Sequence, residues 1–189
     1  NHFRKWVINN RKKNLTKKNI KYSIKTHNHS KLVDKSYNEP RPTRFMLHQF
    51  FLWNKNENSN YQKFFIDFIK LRNILNNLDV DFTLKENKNY HSWISVLQYR
   101  RGGDFIATHK DSYKFQSMLM LSSKDKDFKS GGQYILGKNG TTYTENYFKK
   151  GDLVMLKANV FHGVFPIDES KKDDGINGRW MMFSPFIKK

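Results

Sequence analysis

The chain has 189 residues, 35 Lys and Arg against 17 Asp and Glu, a formal charge of +18 and no cysteine. The length supports one domain with one sizeable core, and the missing thiols exclude disulfides, iron–sulfur clusters and thiolate zinc sites and point to a reducing, intracellular, cytoplasmic setting. No apolar run approaches a bilayer span and no secretory pattern opens the chain, so no membrane partner is expected.

Residues 1–44 read as a basic N-terminal arm or extension that wraps the remaining domain, residues 45–189, or stays mobile. The segment opens on Asn1 rather than Met, which reads as processing or excision from a longer protein. It holds 13 Lys and Arg against Asp34 and Glu39, so a net +11 of the +18 sits here. Two causes stay open. One is an anionic partner such as nucleic acid. The other is an AT-rich genome, because 27 of the 35 cations are lysine and asparagine occurs 20 times. A short helix is expected around residues 3–13. His27-Asn28-His29 reads as a solvated loop rather than a metal pair, since its surroundings offer no third ligand.

FMLHQFFLW (45–53) predicts a buried strand and NKNENSN (54–60) a loop. YQKFFIDFIKLRNILNNL (61–78) is the clearest helix. Phe64, Phe65, Phe68, Leu71, Leu75 and Leu78 recur at three- and four-residue spacing, a stripe that should cover the outside of a sheet. Strands are then expected at 93–99, 105–111, 114–122, 133–137, 141–148, 153–158, 159–165 and 179–186. Polar, Gly- and Asn-marked turns part them, among them RRGGD (100–104), KNG (138–140), KKGD (149–152) and the longer PIDESKKDDGING (166–178). This order predicts a mainly β fold with helical cover, a double-sheet sandwich or jelly roll.

Thr108-His109-Lys110-Asp111 closes one of these strands. Residues i and i+2 of a strand share a face, so His109 and Asp111 project together. His162 follows 51 residues after Asp111, in VFHGVF, and Arg179 follows 17 residues after that, in GRWMMF. Two imidazoles and one carboxylate on one side of a metal leave its other positions open, which is the facial triad of non-haem Fe(II) oxygenases. An arginine on a nearby strand suits a bidentate pair with a dicarboxylic co-substrate. H-x-D alone arises often by chance, so the order of the set carries the reading.

The series LQYRRGG, HKD, SGGQY, KKGDLVM, FHGVFP and GRW across residues 93–187 resembles the Fe(II)/2-oxoglutarate-dependent oxygenases, and within them the prolyl-4-hydroxylase-like branch. The first 90 residues carry no resemblance. The resemblance implies a double-stranded β-helix of the jelly-roll or cupin-like kind. It implies Fe(II) held by His109, Asp111 and His162, and Arg179 paired with the distal carboxylate of 2-oxoglutarate. Tyr99 reads either as a donor to the same co-substrate or as a core tyrosine. The implied reaction hydroxylates a C–H bond of a small molecule, an amino acid or a peptidyl side chain, consuming O2 and 2-oxoglutarate and releasing succinate and CO2. A carboxylate at Asp111 favours hydroxylation over halogenation, because related halogenases carry a small residue there.

Two departures from the family pattern matter. The gap from His162 to Arg179 is 17 residues, where about ten is usual, and a loop at 166–178, lid or plain surface, absorbs the excess. Met181 stands where a serine often assists the arginine. Arg100, Arg101 and Trp53 are candidates for the substrate rim, where Arg100 or Arg101 could meet a substrate carboxylate; solvated surface is the commoner role for such arginines. Two other readings remain. One is the same chemistry on nucleic acid, an oxidative demethylation, for which a second arginine after His162 is missing. The other is a non-catalytic basic β-sandwich that only binds.

Overall fold

The structure, a computed structural model, describes residues 2–14, 28–35, 41–56, 58–84, 89–111 and 115–188. Strand takes 41% and helix 17%, so the chain is mostly β, built on a curled antiparallel sheet. Helix α1 (His2–Asn14) forms where a short helix is expected and buries Val7 and Ile8. Its cations reach into the domain: Arg4 donates to Asp127 at 2.6 Å and Arg11 to the Gln98 side chain at 3.3 Å. Strand β1 (His29–Lys35) pairs antiparallel with β2 (Thr43–Phe50) from His29 opposite Gln49 to Lys35 opposite Thr43. The described part of residues 1–44 thus supplies a helix and an edge strand packed on the domain, and the boundary expected at 44/45 falls inside β2.

His27 lies outside the described residues. Asn28 and His29 are buried, which corrects the solvated loop. The Asn28 side chain accepts from the Phe51 N–H at 2.9 Å and donates to Asn58 at 2.7 Å, and His29 stacks on Phe51.

Helix α2 (Gln62–Leu75) forms where the periodicity predicts, with a rotated buried face. Phe65, Phe68, Ile69, Arg72 and Asn73 are buried, whereas Phe64 and Leu71 are 37% and 38% exposed. Hydrogen bonds cause the rotation. Arg72 donates to Ser92, Thr83 and the Ser184 carbonyl, and Asn73 to the carbonyls of Val80 and Phe82.

Then come β3 (Tyr90–Ser92), β4 (Ile94–Arg100), β5 (Phe105–His109), β6 (Phe115–Met120), β7 (Gly132–Gly137), β8 (Gly140–Tyr143), β9 (Leu153–Lys157), β10 (Phe161–Phe165), β11 (Gly178–Phe183) and β12 (Phe186–Lys188). The strand expected at 141–148 stops with β8. A 3-10 turn at Glu145–Tyr147 follows and buries Glu145. β12 pairs with β3 as a separate ribbon. The large sheet runs β8-β7-β10-β5-β2-β4-β11-β6-β9, with β1 on the far edge of β2. Along its other edge β2 is shared: Thr43 and Arg44 pair with β5, and Met46 to Phe50 pair with β4. The sheet forks there into β5-β10-β7-β8 and β4-β11-β6-β9, and a cavity lined from both arms lies between them.

Alternation assigns the two faces of the larger arm. Ile94, Val96, Trp180 and Met182 join Val7, Phe65 and Ile69 in a core under the helices. Leu97, Tyr99 and Met181 turn the other way and pack with Ile106 and Val164 of the opposite arm. The helical layer thus covers the outside of the sheet, as the apolar stripe requires. No helix among the described residues is long and apolar enough to cross a membrane.

Candidate metal centre

His162 lies opposite His109 in the β10–β5 ladder, and the next pair is Val164 opposite Ile106. Two steps along β10 thus answer three along β5, so β5 carries one extra residue. Such a bulge re-aims side chains. Here it lets Ile106 and His109, three residues apart, both line the cavity, which strict alternation forbids. β5 ends at His109, short of the expected 105–111, and Asp111 lies in the coil just beyond. The Asn159 N–H donates to the Asp111 carbonyl at 3.4 Å and ties that coil to the approach of β10.

The three side chains converge. His162 Nε2 is 3.4 Å from Asp111 Oδ2, and His109 Nε2 is 3.9 Å from Asp111 Oδ1. The two rings are 4.3 Å apart, and one ligand atom from each of the three residues lies within 4.8 Å of the others. Each histidine donates from Nδ1 to the carbonyl two residues earlier, His109 to Ala107 at 2.9 Å and His162 to Val160 at 3.0 Å. A carbonyl only accepts, so Nδ1 holds the ring proton and Nε2 presents a lone pair. The 3.4 Å approach of Nε2 to Asp111 is therefore no hydrogen bond, and Asp111 Oδ2 is buried without a partner. An orphaned carboxylate oxygen facing two bare nitrogens is a place for a cation.

The electrostatics agree with that use. Burial pushes the His109 ring below its ordinary value, against the pull of the Ala107 carbonyl, and keeps it in the neutral, ligating form.

Arg179 lines the same cavity and is wholly buried. Its Nε donates to Glu145 at 2.8 Å and its Nη2 to the Gln133 side chain at 3.0 Å, while Nη1 has no partner. Glu145, 1% exposed, also accepts the Gln133 N–H at 2.8 Å. The arginine is thus already balanced by an acid that the sequence reading missed, and it keeps one N–H group for a ligand. Tyr99 pairs with Arg179 across the β4–β11 ladder, with its ring 5.6 Å from the guanidinium. Burial raises the Tyr99 phenol well above its ordinary value, so it stays a donor. Met181 lines the cavity on the same strand.

The expected rim residues lie elsewhere. Arg100 pairs with Asp104 at 2.8 Å and Asp173 at 3.2 Å, and Arg101 with Asp168 at 3.1 Å and Asp174 at 3.5 Å. They fasten the 166–178 segment to the 100–104 turn, helped by the N–H groups of Gly102 and Gly103, which donate to the carbonyls of Asp168 and Ile167. Nothing in 166–178 lines the cavity, so the segment is docked surface and not a cover. Trp53 packs on Phe51, also outside the cavity. Arg41, Gln49, Trp93, Gln116 and Phe183 line it instead, in a volume of about 320 Å³. Only the prolines on either side of Arg41 mark it in the sequence.

This donor set could hold a metal ion at the wall of the cavity. No family model matches the chain, and no curated protein matches it.

Proposed function

We propose that the protein is an Fe(II)- and 2-oxoglutarate-dependent dioxygenase that hydroxylates a C–H bond of a small molecule, an amino acid or a peptidyl side chain. The fold we propose for it is a double-stranded β-helix, with the two arms of the forked sheet as its walls. The observation that carries the reading is the convergence of His109 Nε2, His162 Nε2 and the orphaned Asp111 Oδ2 in a cavity that also holds the free Nη1 of Arg179.

His109, Asp111 and His162 would hold Fe(II). When bound, the metal supplies O2 activation coupled to the conversion of 2-oxoglutarate to succinate and CO2, with one oxygen atom entering the substrate C–H bond. The protein's own part is orientation. The Ala107 and Val160 carbonyls lock both imidazoles in the ligating tautomer. Arg179 Nη1 takes the distal carboxylate of 2-oxoglutarate while Glu145 and Gln133 hold the rest of the guanidinium still. Tyr99 offers its protonated phenol to the same end of the co-substrate. Leu97, Ile106, Val164 and Met181 keep water from the reacting face. We place this work in a reducing, cytoplasmic compartment, where iron stays Fe(II).

The volume of about 320 Å³ is at the low end for ligand sites. Co-substrate and substrate share it, which favours a small substrate over a flipped nucleobase.

The test is anaerobic addition of Fe(II) and then 2-oxoglutarate to the purified protein. The expected result is a weak visible charge-transfer band in the parent. In Arg179→Ala the band should need far more 2-oxoglutarate. A parent that binds neither Fe(II) nor Mn(II), and shows no band, would overturn the proposal in favour of the binding module.

A further inference from the structure

The charges around the cavity do not cancel. Among the described residues its lining holds the arginines Arg41 and Arg179 and one carboxylate, Asp111. Arg179 is balanced by Glu145, and Asp111 belongs to the metal centre. Arg41 remains. Every other arginine of the chain has a carboxylate, carbonyl or amide oxygen within 3.5 Å. Among the described residues Arg41 has no hydrogen-bond or ion-pair partner. It is exposed while lining the cavity, which places it at the mouth.

Its position is built, not incidental. Thr43 and Arg44 pair with Ile106 and Phe105, and the Ala107 N–H donates to the Pro42 carbonyl at 2.9 Å. One step further along this register, the backbone of Arg41 runs beside the end of β5, where His109 stands. Pro42 restricts the residue before it to extended backbone. The Arg41 charge is near enough to act on both His109 and Asp111. The apolar part of the lining includes Phe45, Leu47, Trp93, Phe183 and Pro185, beside the polar Gln49, Ser95 and Gln116.

We infer that the substrate is a small carboxylate with an apolar body, its anionic group received by Arg41 and its apolar part directed between the aromatic walls towards the metal centre. This rests on the oxygenase reading for what happens to the substrate, but not for the recognition itself. A guanidinium presents paired N–H donors that match a carboxylate in plane, and a bidentate pair fixes orientation as well as position. Holding the substrate at one end of a narrow cavity would present one C–H bond to the metal repeatedly, which is the positional control that hydroxylation needs.

The experiment uses the full chain, loaded with Mn(II) and an unreactive 2-oxoglutarate analogue so that Arg179 is occupied. The probes are 3-phenylpropanoate and 4-methylpentanoate, each titrated by calorimetry beside its own carboxamide. The expected result is at least tenfold tighter binding of each acid than of its amide in the parent. In Arg41→Gln that preference should fall to near parity, and in Arg41→Lys part of it should return. Arg41 is exposed and has no partner among the described residues, so both variants should fold, which circular dichroism checks. Amides binding as well as acids, a preference that survives in Arg41→Gln, or no acid binding at all would each overturn the inference. The same titrations on metal-free protein separate the two proposals. An acid preference lost in Arg41→Gln, in a protein that gives no charge-transfer band, would sink the oxygenase reading and leave the anion site standing.

Discussion

Replacing Glu145 by glutamine removes one negative charge and keeps the shape of the side chain. The site makes that charge matter. Arg179 is 0% exposed and Glu145 1%, so water cannot take over the compensation, and their contact is 2.8 Å. Deleting one partner of a buried pair costs roughly 3–5 kcal/mol, because the remaining charge stays desolvated and uncompensated. Gln133 keeps its bond to Nη2, and the new amide can still accept from Nε, so the lower half of that range is expected. With a urea slope of about 2 kcal/mol per molar, the midpoint should fall by about 1.5–2 M. The assay is urea unfolding of parent and Glu145→Gln, with and without Mn(II) and 2-oxoglutarate. A ligand held at a hundred times its dissociation constant adds about 2.7 kcal/mol. The variant, with an unbalanced cation waiting, should gain more from the co-substrate than the parent does. A fall below about 1 kcal/mol would refute the reasoning, since Glu145 would then not be what makes a buried arginine tolerable.

Asp111→Ala should lower Mn(II) affinity more than about a hundredfold, because outer-shell partners alone are worth 10–100-fold; calorimetry showing near-parent binding would mean that the histidines suffice. Gly163→Ala should weaken metal binding with every ligand in place. A Cβ there would strike the Tyr134 ring and come within 2.8 Å of the Ile106 carbonyl oxygen, which belongs to the neighbouring strand and cannot swing aside. A loss of about 1–3 kcal/mol in stability is expected with it, and unchanged metal affinity would count against the strand shift. His48, buried and stacked 5.8 Å from Trp180, is pushed down to about 3, first by burial and then by Arg11. Below its ordinary 6.5 the unfolded chain takes up a proton that the folded protein refuses, so stability falls as pH drops from 6.5 towards 3, by up to about 1.4 kcal/mol per unit. His48→Gln should therefore lose about 2 kcal/mol less than the parent between pH 7 and pH 5, and parallel pH profiles in urea unfolding would refute the assignment.

The parts legible in the sequence are those that local pattern determines. Alternation marks the strands from Ile94 onward, and the three-and-four spacing marks α2. H-x-D at a strand end followed by a distant histidine marks the candidate metal ligands, because pairing neighbouring strands is what an antiparallel sheet does. The illegible parts depend on distant partners. β1 escapes because HSKLVDK is too polar to signal a strand, yet it only has to line one edge of β2, where lysines are normal. The face of α2 turns towards Arg72 because Ser184 waits 112 residues later. Arg100 and Arg101 have the look of rim cations until Asp168, Asp173 and Asp174 fold back on them. Glu145 sits in a stretch that reads as strand, and only the tertiary fold shows that its partner is Arg179, 34 residues on.

The extra residue in β5 means that the centre is specified by a count as well as by a composition. Pairing β5 with β10 without interruption while keeping all of its residues would make a more regular sheet with a better ladder. Because His109 stands three residues from Ile106, that pairing would also turn His109 to the outer face. At this position a regular strand would make a better scaffold and a worse candidate metal site, so stability and ligand geometry pull in opposite directions along one strand. The tension has a practical side. Any redesign that idealises the backbone here would improve the fold by erasing the irregularity that aims the ligand.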